Sequence, residues 1–360
     1  MLDWLIVGGG VHGVVCAHHL ARRGALDRAL LLDPHDTPLA RWDACARTTG
    51  MTHLRSPITH HVEAEPMALH RFARARGALD DPDGPARRRG RRGGYWPGGA
   101  PEGALAGAHA RPATALFRAH ADAVLARDGI ARRWRRGRAL ELAPRPDGHG
   151  WRVETDGGAL DARTVVLAIG AGEQPRWPAW AAALRSADGE RRLPRVQHVF
   201  APTFDRAALA ATARRIAVVG GGITAAQIAL ALAADGHAPT LVMRHAPRVH
   251  RFDSDACWVD GRCLATFARL RDAAARRATI RQARRPGSLP PEVAGALADA
   301  VRRGAVTLVR GEVAEGRARD DGGVSLAIRG APGDRITGDG IMDEGIADDG
   351  IACDVDLVLL

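Results

Sequence analysis

Leu5-Ile6-Val7-Gly8-Gly9-Gly10-Val11-His12-Gly13, followed one helix-length later by Ala29-Leu30-Leu31-Leu32-Asp33, decides the fold of this chain. A short apolar run ends in three glycines, and the residues after them repeat apolar positions at helical spacing up to Arg23. The pattern predicts a strand over Asp3–Val7, a helix over Val11–Arg23 and a second strand over Ala29–Leu32 that ends in Asp33. Gly8 permits the tight turn, Gly10 lets backbone approach a pyrophosphate, and Gly13 lets the helix pack on the strand. Val11 and His12 open the helix, whose N-terminal amides favour an anion. Asp33, twenty residues beyond Gly13, stands where a carboxylate accepts hydrogen bonds from an adenosine ribose. A lone glycine motif is weak evidence. With its strands, helix and acid in order, it is a dinucleotide-binding βαβ unit.

A second copy starts at Arg215. Strand Ile216–Val219, the turn Gly220-Gly221-Gly222-Ile223-Thr224-Ala225, helix Ile223–Ala234 and strand Thr240–Met243 repeat the arrangement. No acid ends that second strand; it runs into Arg244-His245, with Arg248 and Arg251 beyond. A carboxylate there would repel a 2′-phosphate and an arginine can clamp one. We therefore assign Gly8, Gly10, Val11, His12, Gly13 and Asp33 to FAD. Gly220, Gly222, Ile223, Thr224, Arg244 and Arg248 are assigned to NADPH. The fold class is α/β, two nested Rossmann-like domains, each a parallel sheet with helices plus a β-meander. Two such folds point to an oxidoreductase in which a hydride passes between a nicotinamide and a flavin.

Outward from the motifs, helical periodicity near 67–75 and 113–126 brackets a Gly/Pro/Arg-rich stretch, 77–112, that reads as loop. Strands Ala139–Ala143, Trp151–Thr155 and Thr164–Ile169 form a meander, and Gln174–Trp180 leaves it. Further strands are expected at Val306–Val309, Glu312–Ala318, Val324–Ile328 and Asp354–Leu360. The domains are drawn as 1–175 plus 354–360 for FAD and 195–330 for NADP, with 331–353 a flexible acidic insertion. Its five-residue repeats, from Ile336 to Gly350, match no calcium loop spacing. Five cysteines, odd in number and without a CxxC pair, argue against a disulfide framework, a zinc site or a redox dithiol, and for a reducing cytoplasm. No stretch reaches the roughly 20 apolar residues of a membrane span. The net charge of +10 comes entirely from arginine, since the chain has no lysine. The basic run Arg87–Arg92 lacks interleaved aromatics, so it reads as solvated loop and not as a nucleic-acid site.

With these residues in place, the chain resembles the flavin-dependent monooxygenases that hold FAD and NADPH in tandem folds. It is most similar in pattern to the flavin-containing and N-hydroxylating lysine/ornithine enzymes. Val165–Gly170 is similar to the family's strand ending Ala-Thr-Gly, with Ile169 in place of threonine, and Gly170 is added to the FAD set. Arg195-Val196-Gln197-His198-Val199-Phe200 resembles its His-containing linker, and Met51–Pro57 falls where relatives place residues near the flavin ring. The resemblance implies that NADPH reduces FAD, and that reduced flavin and O2 give a C4a-(hydro)peroxyflavin. One oxygen atom then passes to a nitrogen, sulfur or carbonyl carbon of a small molecule. Arg55, Ser56 and His60 become candidate catalytic residues, and Trp42 a residue packed on FAD. Each has a plainer reading: Trp42 as a core aromatic, Arg55 as an ion-paired residue, and His60-His61 as a structural pair with no third metal ligand. In relatives a strand like Val355–Leu360 continues into a second Ala-Thr-Gly turn, and this sequence ends before that position. Two other readings share the architecture: an NAD(P)H:acceptor flavin reductase without a CxxC dithiol, and a dinucleotide-binding protein without turnover.

Overall fold

The computed structural model describes residues 1–77, 110–170, 174–188, 195–211, 214–259, 261–330, 335–336 and 351–360. The arginine run at 87–92, nearly all of the stretch read as loop between 77 and 112, and the repeats over 337–350 lie outside them. The chain divides into one unit of Met1–Arg47 with Met51–Ala171, and another of Thr48–Gly50 with Gly172–Leu360.

In the first unit, β1 (Leu2–Val7), β2 (Ala29–Asp33), β3 (Trp134–Arg136), β4 (Ala139–Pro144), β5 (Trp151–Thr155) and β6 (Leu160–Leu167) form one sheet. Its order is β3-β2-β1-β6-β5-β4. The first four of these run parallel, and β6, β5 and β4 pair antiparallel as the meander. Alternation along β1 feeds both faces of the sheet. Ile6 packs with Val14 and Ala17 of helix α1 (Val11–Arg22), while Leu5 and Val7 pack with Leu32, Val153 and Ala162 on the other side. Each large apolar side chain so buried contributes about 1.5–3 kcal/mol.

Helices α2 (Ala40–Thr49), α3 (Ala68–Ala75) and α4 (Thr114–Arg127) follow. Phe117, Ala121 and Val124 of α4 complete the α1-side core. A chain of polar contacts ties this helix to its surroundings. His120 Nε2 meets Glu63 at 3.1 Å, and Arg127 donates to Glu63 at 2.8 Å. Arg127 also donates to Asp128 at 2.8 Å, and Asp128 meets His18 of α1 at 2.5 Å. His18 and His120 are buried, so their contacts with Asp128 and Glu63 are made where water competes poorly, whereas Arg127 closes the chain from the surface.

In the second unit, β7 (Val196–Gln197), β8 (Ile216–Val219), β9 (Thr240–Met243), β12 (Thr307–Arg310), β15 (Arg335–Ile336) and β17 (Leu357–Leu359) form a sheet ordered β15-β12-β9-β8-β17-β7. Every pairing is parallel except β12 with β15. A three-stranded antiparallel sheet joins β13 (Glu312–Ala318), β14 (Val324–Arg329) and β16 (Ile351–Val355). The helix Ile223–Ala234 buries Ala226, Ile228, Ala229 and Leu232 against Val218, Leu241 and Met243.

Two expectations are corrected. Asp354–Leu360 is not one strand of the first unit. It breaks at Asp356 into β16, which pairs with β14 in the three-stranded sheet, and β17, which pairs with β8 and β7 of the second unit. Asp356 makes the break: its carboxylate accepts from the backbone amides of Arg214 and Arg215 at 3.0 and 2.8 Å, and from the Arg215 guanidinium. The cysteines do include a disulfide, Cys257–Cys263, with Cα atoms 5.2 Å apart. The six-residue spacing closes because the chain turns at Gly261, whose φ is +87°. Residues 254–291 carry helices Arg262–Arg269 and Ala273–Ala283. Among the described residues, no helix is long and apolar enough to cross a membrane.

Burial opposes ionisation of Glu63 and Asp128, but hydrogen bonds from Arg127 to both, and from His120 and His18, outweigh it and hold both carboxyls below their ordinary range. Burial also lowers His61 and His120, keeping them neutral in the fold. All four groups bind a proton more readily when unfolded, so stability falls as pH falls. The melting temperature is expected to drop first as pH passes below about 6.5, the unfolded histidine value, and again through the carboxylate range. Glu63→Gln should cost about 2 kcal/mol at pH 7.5 and flatten the second drop; thermal melts between pH 7.5 and 4 check both.

Candidate dinucleotide-binding sites

The first glycine loop is shaped by what surrounds it. Gly8 has φ +108°, and a Cβ there would stand 2.3 Å from the Ala168 carbonyl oxygen at the end of β6. A Cβ on Gly13 would stand 1.9 Å from the Gly8 carbonyl oxygen. A Cβ on Gly9 would enter the Trp134 ring, 2.0 Å from its nearest carbon. Gly10 differs: nothing in the protein lies within 4 Å of its absent Cβ. Space is thus left at the one glycine that a pyrophosphate must approach, at the N-cap of α1. The protein's own packing does not require glycine there, and an FAD pyrophosphate does.

Asp33 is tied to the same loop. Its carboxylate accepts the Gly9 amide at 2.6 Å and the His35 amide at 2.9 Å, and the His35 ring lies 2.7 Å away. An ionised carboxylate has about four acceptor positions, so capacity for one ribose hydroxyl remains. Gly170 follows β6 with φ +62°. Leu167 and Ile169 beside it are more than half exposed, as a strand end that presents side chains outward would be. Trp134, whose edge shapes the loop, was not singled out by sequence; it lies 101 positions after Asp33, and only the β2–β3 pairing brings them together.

The other residues near the first loop fall into place unevenly. Residues 52–58 run beside 110–114, with Leu54 donating to the Pro112 carbonyl, Ile58 to that of Ala110, and Thr114 to that of Thr52. Arg111 adds a 2.6 Å bond to the Leu54 carbonyl. Arg55 is partly buried on this ladder; Ser56 and His60 are exposed. Trp42 packs on Phe117 with ring centroids 4.9 Å apart and is partly buried. His61 is a structural histidine: its Nδ1 accepts the Glu63 amide at 3.1 Å and its Nε2 donates to the Pro66 carbonyl at 3.0 Å. Among the described residues, no group of three or more candidate ligands could hold a metal ion.

The second loop borders a cavity of about 220 Å³ lined by Gly220, Gly222 and Thr224 together with His198, Phe200 and Leu360. The linker residue His198 is fixed there by accepting the Phe200 amide on Nδ1 at 3.1 Å, with its ring edge-on to Trp177. The lining is mainly apolar. A Cβ on Gly222 would meet only the Gly287 Cα, at 3.8 Å. Arg244 and Arg248 are exposed; Arg244 lies 3.8 Å from Glu312, a loose surface pair of little energetic weight. Both cradles fit the groups assigned to them, since each leaves backbone open at a helix start.

Comparison with known proteins agrees with this geometry. Residues 5–172 match the model of an FAD-NAD(P)-binding family, and residues 141–256 match that of the L-lysine 6-monooxygenase/L-ornithine 5-monooxygenase family. No curated protein matches the sequence. Among solved structures, the FAD-bound cadaverine monooxygenase DfoA of Erwinia amylovora superposes with a TM-score of 0.64 and 16% identity, over 100% of this chain and 77% of that one. The ornithine N-hydroxylase KtzI of Kutzneria sp. 744 gives 0.66 and 15%, over 100% and 80%. The bacillithiol disulfide reductase Bdr of Staphylococcus aureus gives 0.51 and 13%, over 99% and 75%. At these identities the likeness is one of fold.

Gly10→Ala is expected to leave the melting temperature of the FAD-free protein within about 1 °C, since the methyl meets no protein atom, and to weaken FAD binding at least tenfold. Gly13→Ala should lower both stability and FAD binding, because its methyl collides with the Gly8 carbonyl. Melts paired with flavin titrations separate the two effects. Tandem glycine loops and the two family matches together mark this chain as an FAD- and NAD(P)-binding oxidoreductase whose middle part, residues 141–256, matches the lysine/ornithine monooxygenase model.

Proposed function

We propose that the protein N-hydroxylates the terminal amine of a small amino acid or diamine, using NADPH and O2. The observation that carries this reading is the lysine/ornithine monooxygenase match over 141–256, a span that contains the whole second glycine motif and every residue lining its cavity except Leu360. The fold shared with a cadaverine and an ornithine hydroxylase supports it. Cytoplasmic action fits a reaction that draws on NADPH.

Bound FAD supplies the redox chemistry, accepting a hydride and delivering electrons to O2. The chain's own residues bind and orient. Gly8, Gly10 and Gly13 with the α1 N-terminus hold the FAD pyrophosphate, and Asp33 holds its adenosine ribose. Gly220, Gly222, Ile223 and Thr224 do the same for NADPH, with Arg244 and Arg248 free to move onto its 2′-phosphate. Arg55, Ser56 and His60 are assigned to the reacting end on the strength of their position on the 52–60 segment. The ladder to 110–114 fixes the backbone of that segment, and Ser56 and His60 lie at its surface. The apolar lining around His198 and Phe200 excludes water beside the second motif, which favours hydride transfer over loss to solvent.

Anaerobic addition of NADPH to FAD-loaded protein should bleach the flavin band near about 450 nm, a general flavin property. With air, lysine, ornithine or cadaverine should increase NADPH oxidation and yield a hydroxylamine. Bleaching without any oxygen-dependent hydroxylamine would instead identify an NAD(P)H:acceptor flavin reductase. Absence of bleaching would leave a dinucleotide-binding protein without turnover.

A further inference from the structure

Gly9, in the middle of the first glycine motif, is a glycine that its own backbone does not require. Its φ lies outside the left-handed region that Gly8 occupies. What excludes a side chain there is Trp134. A Cβ on Gly9 would stand 2.0 Å from Cη2 and 2.2 Å from Cζ3 of the indole, both atoms of its six-membered ring. Trp134 opens β3 and is paired with Leu31 of β2, so its ring reaches past β2 to the loop that follows β1.

The Gly9 backbone is held on its other sides as well. Its N–H donates to Asp33 Oδ2 at 2.6 Å, and its carbonyl accepts from the Leu39 N–H at 2.9 Å. In a trans peptide the carbonyl and the following N–H point in opposite directions, and no described peptide is cis. The bond from Leu39 therefore turns the Gly10 N–H away from the Leu39 side. No described residue accepts that N–H, and no protein atom lies within 4 Å of the place of a Gly10 Cβ. A free donor at the N-cap of α1 suits a pyrophosphate oxygen. Two costs are carried around this one peptide. Leu39 is buried with φ +66°, the one non-glycine residue of positive φ among the described residues. The Trp134 Nε1–H, in the five-membered ring, is buried with no hydrogen-bond partner among them. A phenylalanine would spare the orphaned donor, but it is one ring shorter.

We infer that Trp134 is a positioning residue for FAD: its indole fills the side-chain place of the motif's middle position and so holds the Gly9 peptide in the orientation that presents the Gly10 N–H to the pyrophosphate. This rests on the assignment of FAD to the first fold and adds to it a residue acting through the loop. The bond from Leu39 does not suffice alone, since Leu39 gains by leaving its left-handed conformation once the ring no longer backs the peptide. A methyl on residue 9 and the far edge of the indole exclude each other, so either one can fill the space and both together cannot.

The test is equilibrium FAD titration of cofactor-free wild type, Trp134→Phe, Gly9→Ala and the double variant, with a thermal melt of each and an NADP+ titration as control on the second fold. Each single variant should lose at least about fivefold in FAD affinity and keep its NADP+ affinity. The melting temperature of Trp134→Phe should move by less than about 5 °C, because lost packing is offset by removal of the orphaned donor. The double variant should bind FAD more tightly than either single variant, since the alanine methyl takes the place vacated by the indole. A loss under about fivefold in Trp134→Phe would overturn the positioning role. So would a double variant no tighter than either single one, which is the outcome for a ring that only packs the core. If Trp134→Phe does not fold, Trp134→Leu replaces it, and loss of the fold in both would likewise overturn the role. Wild type that binds NADP+ but no FAD would overturn the FAD assignment itself.

Discussion

Everything in the first unit depends on one close approach, that of helix α1 to the turn before it. With the Gly8 carbonyl oxygen 1.9 Å from where a Cβ of residue 13 would stand, only glycine lets the helix start so near the strand. Gly8 itself must take φ +108° under the Ala168 carbonyl. Those two contacts fix where the helix N-terminus points. They thereby fix the direction of the free amides and the place of Asp33, which bonds back to the loop through Gly9. The second unit meets the same constraint more loosely: a Cβ on Gly220 would stand 3.0 Å from the Ala225 Cβ, and the third motif position accepts alanine.

Because that constraint is steric and local, the sequence carries it openly. Strands Trp151–Thr155, Ile216–Val219, Thr240–Met243 and Glu312–Ala318 and helix Ile223–Ala234 have the bounds that apolar spacing and turn residues imply. What stayed hidden depends on partners distant in sequence. The split of the last strand is made by Asp356 reaching the amides of Arg214 and Arg215, more than 140 residues away, and no periodicity signals it. Trp134 shapes the first loop only because β3 pairs with β2. The Cys257–Cys263 bond escaped a search for CxxC because its six-residue spacing closes through the turn at Gly261.

The two loops also show how one backbone device is given two ligand preferences. The amides and helix dipole that attract a pyrophosphate are common to both and indifferent to the rest of the ligand. Selection comes from the residues after the second strand. On the proposed assignment, a carboxylate such as Asp33 suits a ribose diol and repels a phosphate, and arginines such as Arg244 and Arg248 do the reverse. The cavity beside the second loop, bounded by His198 and Phe200, is lined mainly by apolar groups, whereas Arg244 and Arg248 after the second strand are exposed.

The central claim, that the first fold holds FAD and the second NADPH, is tested most directly by the stoichiometry of binding. Calorimetric titration of cofactor-free protein with FAD, and then of the FAD-loaded protein with NADP+, should give one equivalent of each per chain. The NADP+ affinity should be the same order of magnitude with FAD bound or absent. If FAD displaces NADP+, so that the two share a single site, the assignment of one dinucleotide to each fold is contradicted.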